Sequence, residues 1–71
     1  MLTYALKKIE NGARIYEFFP QGEKRPGVIA FYDNGEREVI KESPDDSIGW
    51  HKGHALWGID TSLNNGTIAW Y

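Results

Sequence analysis

The chain has 71 residues, no cysteine, and a net charge of −2 from eight Lys and Arg against ten Asp and Glu. This length suits one domain over residues 1–71, the lack of cysteine excludes disulfides and thiolate metal sites, and the scattered cations disfavour nucleic-acid binding through phosphate contacts. Apolar runs stay far below the roughly 18 residues of a membrane span and MLTYALKK does not resemble a signal peptide, so we expect a cytoplasmic protein without membrane contact.

The N-terminal segments predict a first β-hairpin. Asn11-Gly12 is a strong signal for a type I′ turn, because both central residues of that turn need positive φ. The turn would join strands over residues 2–9 and 13–19. A helix over 2–9 competes, because its apolar residues also follow helical spacing and Gly12 could end a helix. The strand-like ARIYEFF that follows the turn favours the hairpin.

A second Asn-Gly pair, at residues 34–35, predicts a hairpin of the same kind. It joins an apolar strand near 27–33 to an alternating strand near 36–42. With the Asn-Gly pair at the tip, the register places Phe31 opposite Glu38.

The C-terminal third predicts one helix and one strand. Asp and Ser residues at 45–47 are good N-cap residues and complement the helix dipole. A short helix of roughly 51–63 follows, and a last strand covers 67–71. The helix is predicted from apolar residues that recur on one face at i, i+4 and i+8: Ala55, Ile59 and Leu63.

Together these elements predict an α+β fold. We expect an antiparallel sheet of four to five strands, a meander plus a C-terminal strand, with one short helix packed on one face. A chain of this size buries only about 60% of its unfolded surface. Most of its ten aromatic residues are therefore expected to support the core.

The stretch GWHKGHALWGID carries the only two histidines, His51 and His54. They lie three residues apart and could share one helix face. A zinc site needs three or four ligands, and the established two-His helix motif uses i, i+4 spacing with a Glu between. The favoured interpretation is a solvated His51 and a hydrogen-bonded His54, with no metal and no cofactor. Because the chain also lacks Gly-x-Ser-x-Gly, we assign no catalytic residue and do not expect an enzyme.

The same stretch places two tryptophans on a similar side of the predicted helix. Trp50 and Trp57 are seven residues apart, with His54 between them. Either the helix is buried over a wide arc, which the small size of the domain favours, or it presents its Trp side to a partner. In the second case the binding residues are Trp50, His54, Trp57 and Tyr71.

Several short segments carry a resemblance to a known group. The chain from about Tyr16 to Tyr71 resembles small uncharacterised proteins of Gram-positive bacteria and their phages. The segments that carry the resemblance are PQG at 20–22, PGV at 26–28, GHAL at 53–56 and AWY at 69–71. None of these is a mechanistic motif, so the resemblance implies no catalytic residue. It implies the strand–strand–helix–strand order and an intracellular setting.

We therefore expect a small non-catalytic interaction module that binds a protein partner or itself as a homodimer. The first alternative is single-stranded nucleic-acid binding through an aromatic sheet face. Its stacking candidates are Tyr16, Phe18, Phe31 and Tyr32. The second alternative is a small metal-binding protein or enzyme that uses His51 and His54.

Overall fold

A computed structural model describes residues 1–21, 24–46 and 49–69 of the chain. These residues form a five-stranded antiparallel sheet with the spatial order β4-β3-β2-β1-β5 and one helix between the last two strands in sequence. The elements are β1 (Leu2–Glu10), β2 (Ala13–Pro20), β3 (Gly27–Tyr32), β4 (Arg37–Lys41), α1 (Trp50–Gly58) and β5 (Asn65–Ile68). The predicted α+β fold is confirmed.

The first hairpin forms as predicted. Asn11 and Gly12 have φ values of 52° and 80°, as a type I′ turn requires. Glu10 pairs with Ala13 across the turn, so the N-terminal segment is a strand and the competing helix is wrong. Positive φ at both central residues matches the right-handed twist of the two strands, which is why the Asn-Gly pair specifies this hairpin.

The second hairpin has a different turn from the predicted one. The Tyr32 carbonyl accepts a hydrogen bond from the Gly35 N–H at 3.1 Å, and the Tyr32 N–H donates to the Glu36 carbonyl at 2.9 Å. Gly35 has a φ of 90°, whereas Asn34 does not have positive φ. This is a three-residue loop, a type I turn followed by a glycine in the left-handed region. Asp33 therefore belongs to the loop as well.

The longer loop shifts the register between β3 and β4 by one residue over Ile29–Phe31, and an irregularity in the ladder then pairs Val28 with Lys41, as a two-residue loop would. Phe31 pairs with Arg37, and the predicted pairing of Phe31 with Glu38 is wrong. Because side chains alternate between the faces of a sheet, a shift of one residue exchanges the two faces of β4. Arg37 and Val39 consequently share the face of Phe31. Ile40, which has no partner in the ladder between Val39 and Lys41, is 53% exposed.

Helix α1 is shorter than predicted. It ends at Gly58, and Ile59 is already extended, with φ −66° and ψ 126°. Asp60 then forms a local turn, in which its carboxylate accepts hydrogen bonds from the Ser62 N–H at 2.9 Å and the Ser62 hydroxyl at 2.6 Å. Such turns compete with helix. Leu63, predicted on the buried helix face, is 47% exposed.

Asp46 holds the N-terminus of α1 from outside the helix. Its carboxylate accepts hydrogen bonds from the backbone N–H groups of His51 at 3.0 Å and Lys52 at 2.8 Å. The residue at the cap position itself, Gly49, has φ 77° and no side chain to cap with. The prediction that the N-cap residue lies at 45–47 is therefore wrong in position, because Gly49 occupies the cap, although Asp46 accepts the hydrogen bonds that an N-cap side chain would accept.

The core lies between α1 and one face of the sheet. Tyr16 occupies its centre: the ring contacts Tyr4 and Phe31 edge to face, and the hydroxyl donates to the Leu63 carbonyl at 2.7 Å. From the helix side, Ala55 completes this cluster. The other buried members are Leu2, Phe18, Ile29 and Ile59.

The chain crosses from one edge of the sheet to the other. After β4 at one edge, it passes through α1 and returns as β5, which pairs with β1 from Leu2–Ile68 to Ala5–Asn65. The last strand is therefore paired, as predicted, but it begins at residue 65 rather than 67. The predicted strand residues 70–71 lie outside the described residues. None of the described helical structure is long and apolar enough to cross a membrane.

Candidate functional site

One side of α1 faces away from the sheet and carries the two tryptophans. Trp50 is 63% exposed and Trp57 is 77% exposed. Among the residues of α1 itself, only Ala55 is buried. The interpretation that the helix is buried over a wide arc is therefore wrong, and the tryptophan side is presented outward.

Gly53 opens a notch between the two indole rings. It lies about one helical turn from each of Trp50 and Trp57, and apart from its chain neighbours and the adjacent helix backbone, a Cβ placed on it meets no heavy atom of the described residues within 4 Å. The two rings and this notch form one wall of a surface groove of about 690 Å³. We call it the Trp groove; its lining residues are Gly49, Trp50, Gly53, His54, Trp57, Gly58 and Ile68.

The helix approaches β5 closely along the groove. A Cβ on Gly58 would lie 2.9 Å from Cδ1 of Ile68, a distance that side chains do not tolerate without movement. Glycine at the end of α1 thus lets the helix backbone lie against the last strand. Ile68 of β5 consequently lines the Trp groove together with residues of α1.

Arg37 holds the exposed Trp57 ring in place. Its guanidinium carbon lies 4.6 Å from the centre of the Trp57 ring and 5.6 Å from that of Phe31. The guanidinium also donates a hydrogen bond to the Leu56 carbonyl at 2.7 Å. Arginine near a helix C-terminus satisfies a carbonyl that the helix itself leaves without a donor. The contact links β4 to α1 and restricts the indole.

The two histidines have different environments. His51 was predicted to be solvated, but its side chain is only 14% exposed, and its Nδ1 lies 3.1 Å from Oδ1 of Asp46. His54 is half-buried and lines the Trp groove. Across residues 1–21, 24–46 and 49–69, no three His, Asp or Glu side chains come together as a metal site requires.

The charge of Asp46 is stabilised at the helix N-terminus. Its side chain is 1% exposed, and burial alone raises the pKa of a carboxyl group. The hydrogen bonds from the backbone of His51 and Lys52, and then from the His51 ring, outweigh burial and lower the pKa of Asp46 below its ordinary value. This carboxylate therefore serves to hold the helix.

The structure separates the four stacking candidates of the nucleic-acid hypothesis. Tyr16, Phe18 and Phe31 are core residues, at most 6% exposed. Tyr32 alone of the four is exposed, and its hydroxyl donates to Glu38 at 2.7 Å. That hydrogen bond raises the pKa of Tyr32. An anionic neighbour of this kind disfavours a phosphate backbone.

The predicted binding residues are thus partly brought together. Trp50, His54 and Trp57 line one groove, whereas Tyr71 lies outside the described residues. Gly53 and Arg37 were not predicted as parts of this site. For Arg37 the only signal was the hairpin register, and the predicted two-residue loop set that register wrong by one residue.

Comparison with known proteins finds no matching family model, no matching curated protein and no matching solved structure. The resemblance to small proteins of Gram-positive bacteria and their phages stays a prediction.

Proposed function

We propose that this protein is a small non-catalytic interaction module that binds a partner protein through the Trp groove. The observation that carries the proposal is the exposure of two tryptophans, 63% and 77%, on one side of a nine-residue helix. Clustered exposed aromatic residues are typical of binding surfaces, and tryptophan is enriched among the residues that dominate binding energy.

The contacts of Trp57 support binding rather than incidental exposure. An exposed side chain normally loses rotamer freedom on binding, which weakens the complex by about 0.5–1.5 kcal/mol per side chain. Arg37 already restricts the Trp57 ring through its stacking contact at 4.6 Å. A ring that is held before the partner arrives loses less freedom when the complex forms.

The chemistry of the lining also favours docking. Two indole rings and Ile68 supply apolar contact area, glycines leave room for a partner's atoms, and His54 supplies one polar group. Apolar walls with a few polar groups are the usual composition of binding sites. The lack of cysteine fits a reducing compartment, and we place the module in the cytoplasm.

Affinity capture with matched variants tests the proposal. Three forms of the protein are immobilised: the wild type, Trp57→Ala and Ile9→Ala. Each is exposed to a lysate of the cells in which the protein naturally occurs. Ile9 is the control, because it is an apolar residue of comparable exposure, 60%, that does not line the groove. We expect at least one protein to be retained by the wild type and Ile9→Ala and lost with Trp57→Ala.

The retained protein is then purified and titrated. A binding hot spot of about 2 kcal/mol corresponds to roughly 30-fold weaker binding by Trp57→Ala. Retention of the same proteins by all three forms would contradict the proposal. Sedimentation velocity over a concentration series shows whether the partner is a second copy, since a homodimer would then dissociate in Trp57→Ala.

A further inference from the structure

The strand beside the Trp groove has a free side. Within the described part of the chain, β5 pairs with β1 and lies at the edge of the sheet. The Leu6 N–H donates a hydrogen bond to the Asn64 carbonyl, so these two residues form a hydrogen-bonded pair. Along an antiparallel ladder, residue pairs that exchange hydrogen bonds alternate with pairs that do not. In the register of β1 and β5, the backbone of Gly66 therefore exchanges hydrogen bonds with Tyr4, and that of Ile68 with Leu2. The N–H and C=O groups of Asn65 and Thr67 therefore point outward.

The two edges of the sheet differ in charge. The edge strand β4 has the sequence REVIK, and Glu36 and Glu42 flank it. Charged side chains on an edge strand discourage pairing with another chain. The edge strand β5 has the sequence NGTI, without a charged residue. Of the two edges, β5 is the one without this protection.

We propose that an extended, uncharged peptide segment of a partner protein adds to β5 as a sixth strand and places alternate apolar side chains in the Trp groove. This proposal rests on the proposed function and names its ligand. Strand addition uses backbone hydrogen bonds for affinity and pockets for alternate side chains for specificity. The outward backbone groups of Asn65 and Thr67 supply the hydrogen bonds. The Trp groove, which Ile68 of the same strand also lines, supplies the pocket for side chains.

The size of the surface favours a peptide over a second copy. From their exposed fractions, Trp50 and Trp57 together offer about 300 Å² of accessible side-chain surface. A stable dimer of standard size buries about 800 Å² on each partner. The four residues of β5 span roughly 13 Å, which matches a short extended segment.

The charge of the surface defines the peptide further. None of the described residues that line the groove is Asp, Glu, Lys or Arg. A charged side chain buried there would lose its hydration, and no Asp, Glu, Lys or Arg among the described lining residues would offset that loss. The segment is therefore apolar at alternate positions and uncharged where it faces α1.

Selection from a phage-displayed library of random dodecapeptides against the wild-type protein tests the inference. We expect enriched peptides with apolar residues at alternate positions, without proline or charge in the central part. A synthetic copy of the most enriched peptide is then titrated into Thr67→Pro, Thr67→Ala and Trp57→Ala. Proline removes the outward N–H of Thr67 and is tolerated on an edge strand at such a position, whereas Thr67→Ala keeps that N–H.

Strand addition predicts that the peptide binds Thr67→Ala as it binds the wild type, and binds Thr67→Pro about tenfold or more weakly. A second readout needs no variant: amide hydrogen exchange at Asn65 and Thr67 in the wild type slows when the peptide is bound. This readout keeps the test decisive if Thr67→Pro does not fold.

The alternative outcomes are distinct. Strand addition would be overturned by enriched peptides with helical spacing, or by a bound peptide that leaves amide exchange at Asn65 and Thr67 unchanged. In either case, a loss of peptide binding in Trp57→Ala would still support the proposed function. A library without enrichment, or a wild-type dimer that Thr67→Pro dissociates, would also overturn the peptide ligand. Binding that is insensitive to both Thr67→Pro and Trp57→Ala would contradict both proposals.

Discussion

Replacing Asp46 with alanine tests how α1 is held against the sheet. The first N–H groups of a helix have no acceptor within the helix. Asp46 accepts hydrogen bonds from two of them, those of His51 and Lys52, at 3.0 and 2.8 Å. Alanine removes the acceptor of both in a position where the carboxylate is 1% exposed.

We expect Asp46→Ala to lower the free energy of unfolding by about 2 kcal/mol. Loss of an N-cap side chain usually lowers it by about 0.5–2 kcal/mol, and the upper end applies because one buried carboxylate serves two donors. For a domain of this size the melting temperature would fall by roughly 8–16 °C. The control is Asp45→Ala, which removes an ion pair with the exposed Arg25 and should lower stability by at most about 1 kcal/mol.

The effect of Asp46→Ala should depend on pH in a defined direction. Burial raises the pKa of Asp46, but the hydrogen bonds from His51 and Lys52 outweigh it and lower the pKa in the folded protein. The contribution of the carboxylate to stability is then complete above the unfolded pKa of about 3.9 and is lost as the pH falls through the folded pKa. The stability difference between wild type and variant therefore narrows in acid.

Urea unfolding followed by far-UV circular dichroism, at neutral pH and at about pH 3, measures both effects. Equal stability of wild type and Asp46→Ala at neutral pH would refute the role of Asp46 in holding the N-terminus of α1. A difference that widens in acid would refute the assigned direction of the pKa shift.

Three further substitutions probe the fold. Gly53→Ala should raise the melting temperature by up to ~8 °C, because alanine is the better helix former by about 1 kcal/mol and its Cβ would meet no described atom within 4 Å beyond its chain neighbours and the adjacent helix backbone. A lower melting temperature would contradict this. Gly27→Ala should lower the free energy of unfolding by about 1–3 kcal/mol, since its Cβ overlaps the buried ring of Phe18, and an unchanged urea midpoint would refute the close contact. Tyr16→Phe should lower it by about 1–2 kcal/mol, because the Leu63 carbonyl loses a donor at 2.7 Å; calorimetry that shows no loss would contradict that bond.

The two Asn-Gly pairs show what a dipeptide can and cannot predict. At residues 11–12 both residues adopt positive φ, and the pair alone specifies the turn. At residues 34–35 the loop also includes Asp33, and loop length rather than the dipeptide sets the register. The identity of the strands was predictable from local pattern, but the face on which Arg37 lies depended on one residue of loop length.

Trp50, His54 and Trp57 of the candidate site were predictable from the sequence, but their environment was not. The spacing of Trp50 and Trp57 places them on a similar helix side whatever the helix packs against. Whether that side is buried depends on how α1 lies on the sheet, and so on where the helix ends. The turn at Asp60, in which the carboxylate accepts hydrogen bonds from Ser62, competes with continuation of the helix beyond Gly58. Helical periodicity does not reveal this turn.

The free energy of unfolding of Trp57→Ala separates docking from core packing as the role of Trp57. Because the side chain is 77% exposed and its contact with Arg37 is worth about 0.5–1 kcal/mol at a surface, we expect a loss of at most about 1 kcal/mol. A loss of about 3–5 kcal/mol, as for a buried tryptophan, would contradict the account.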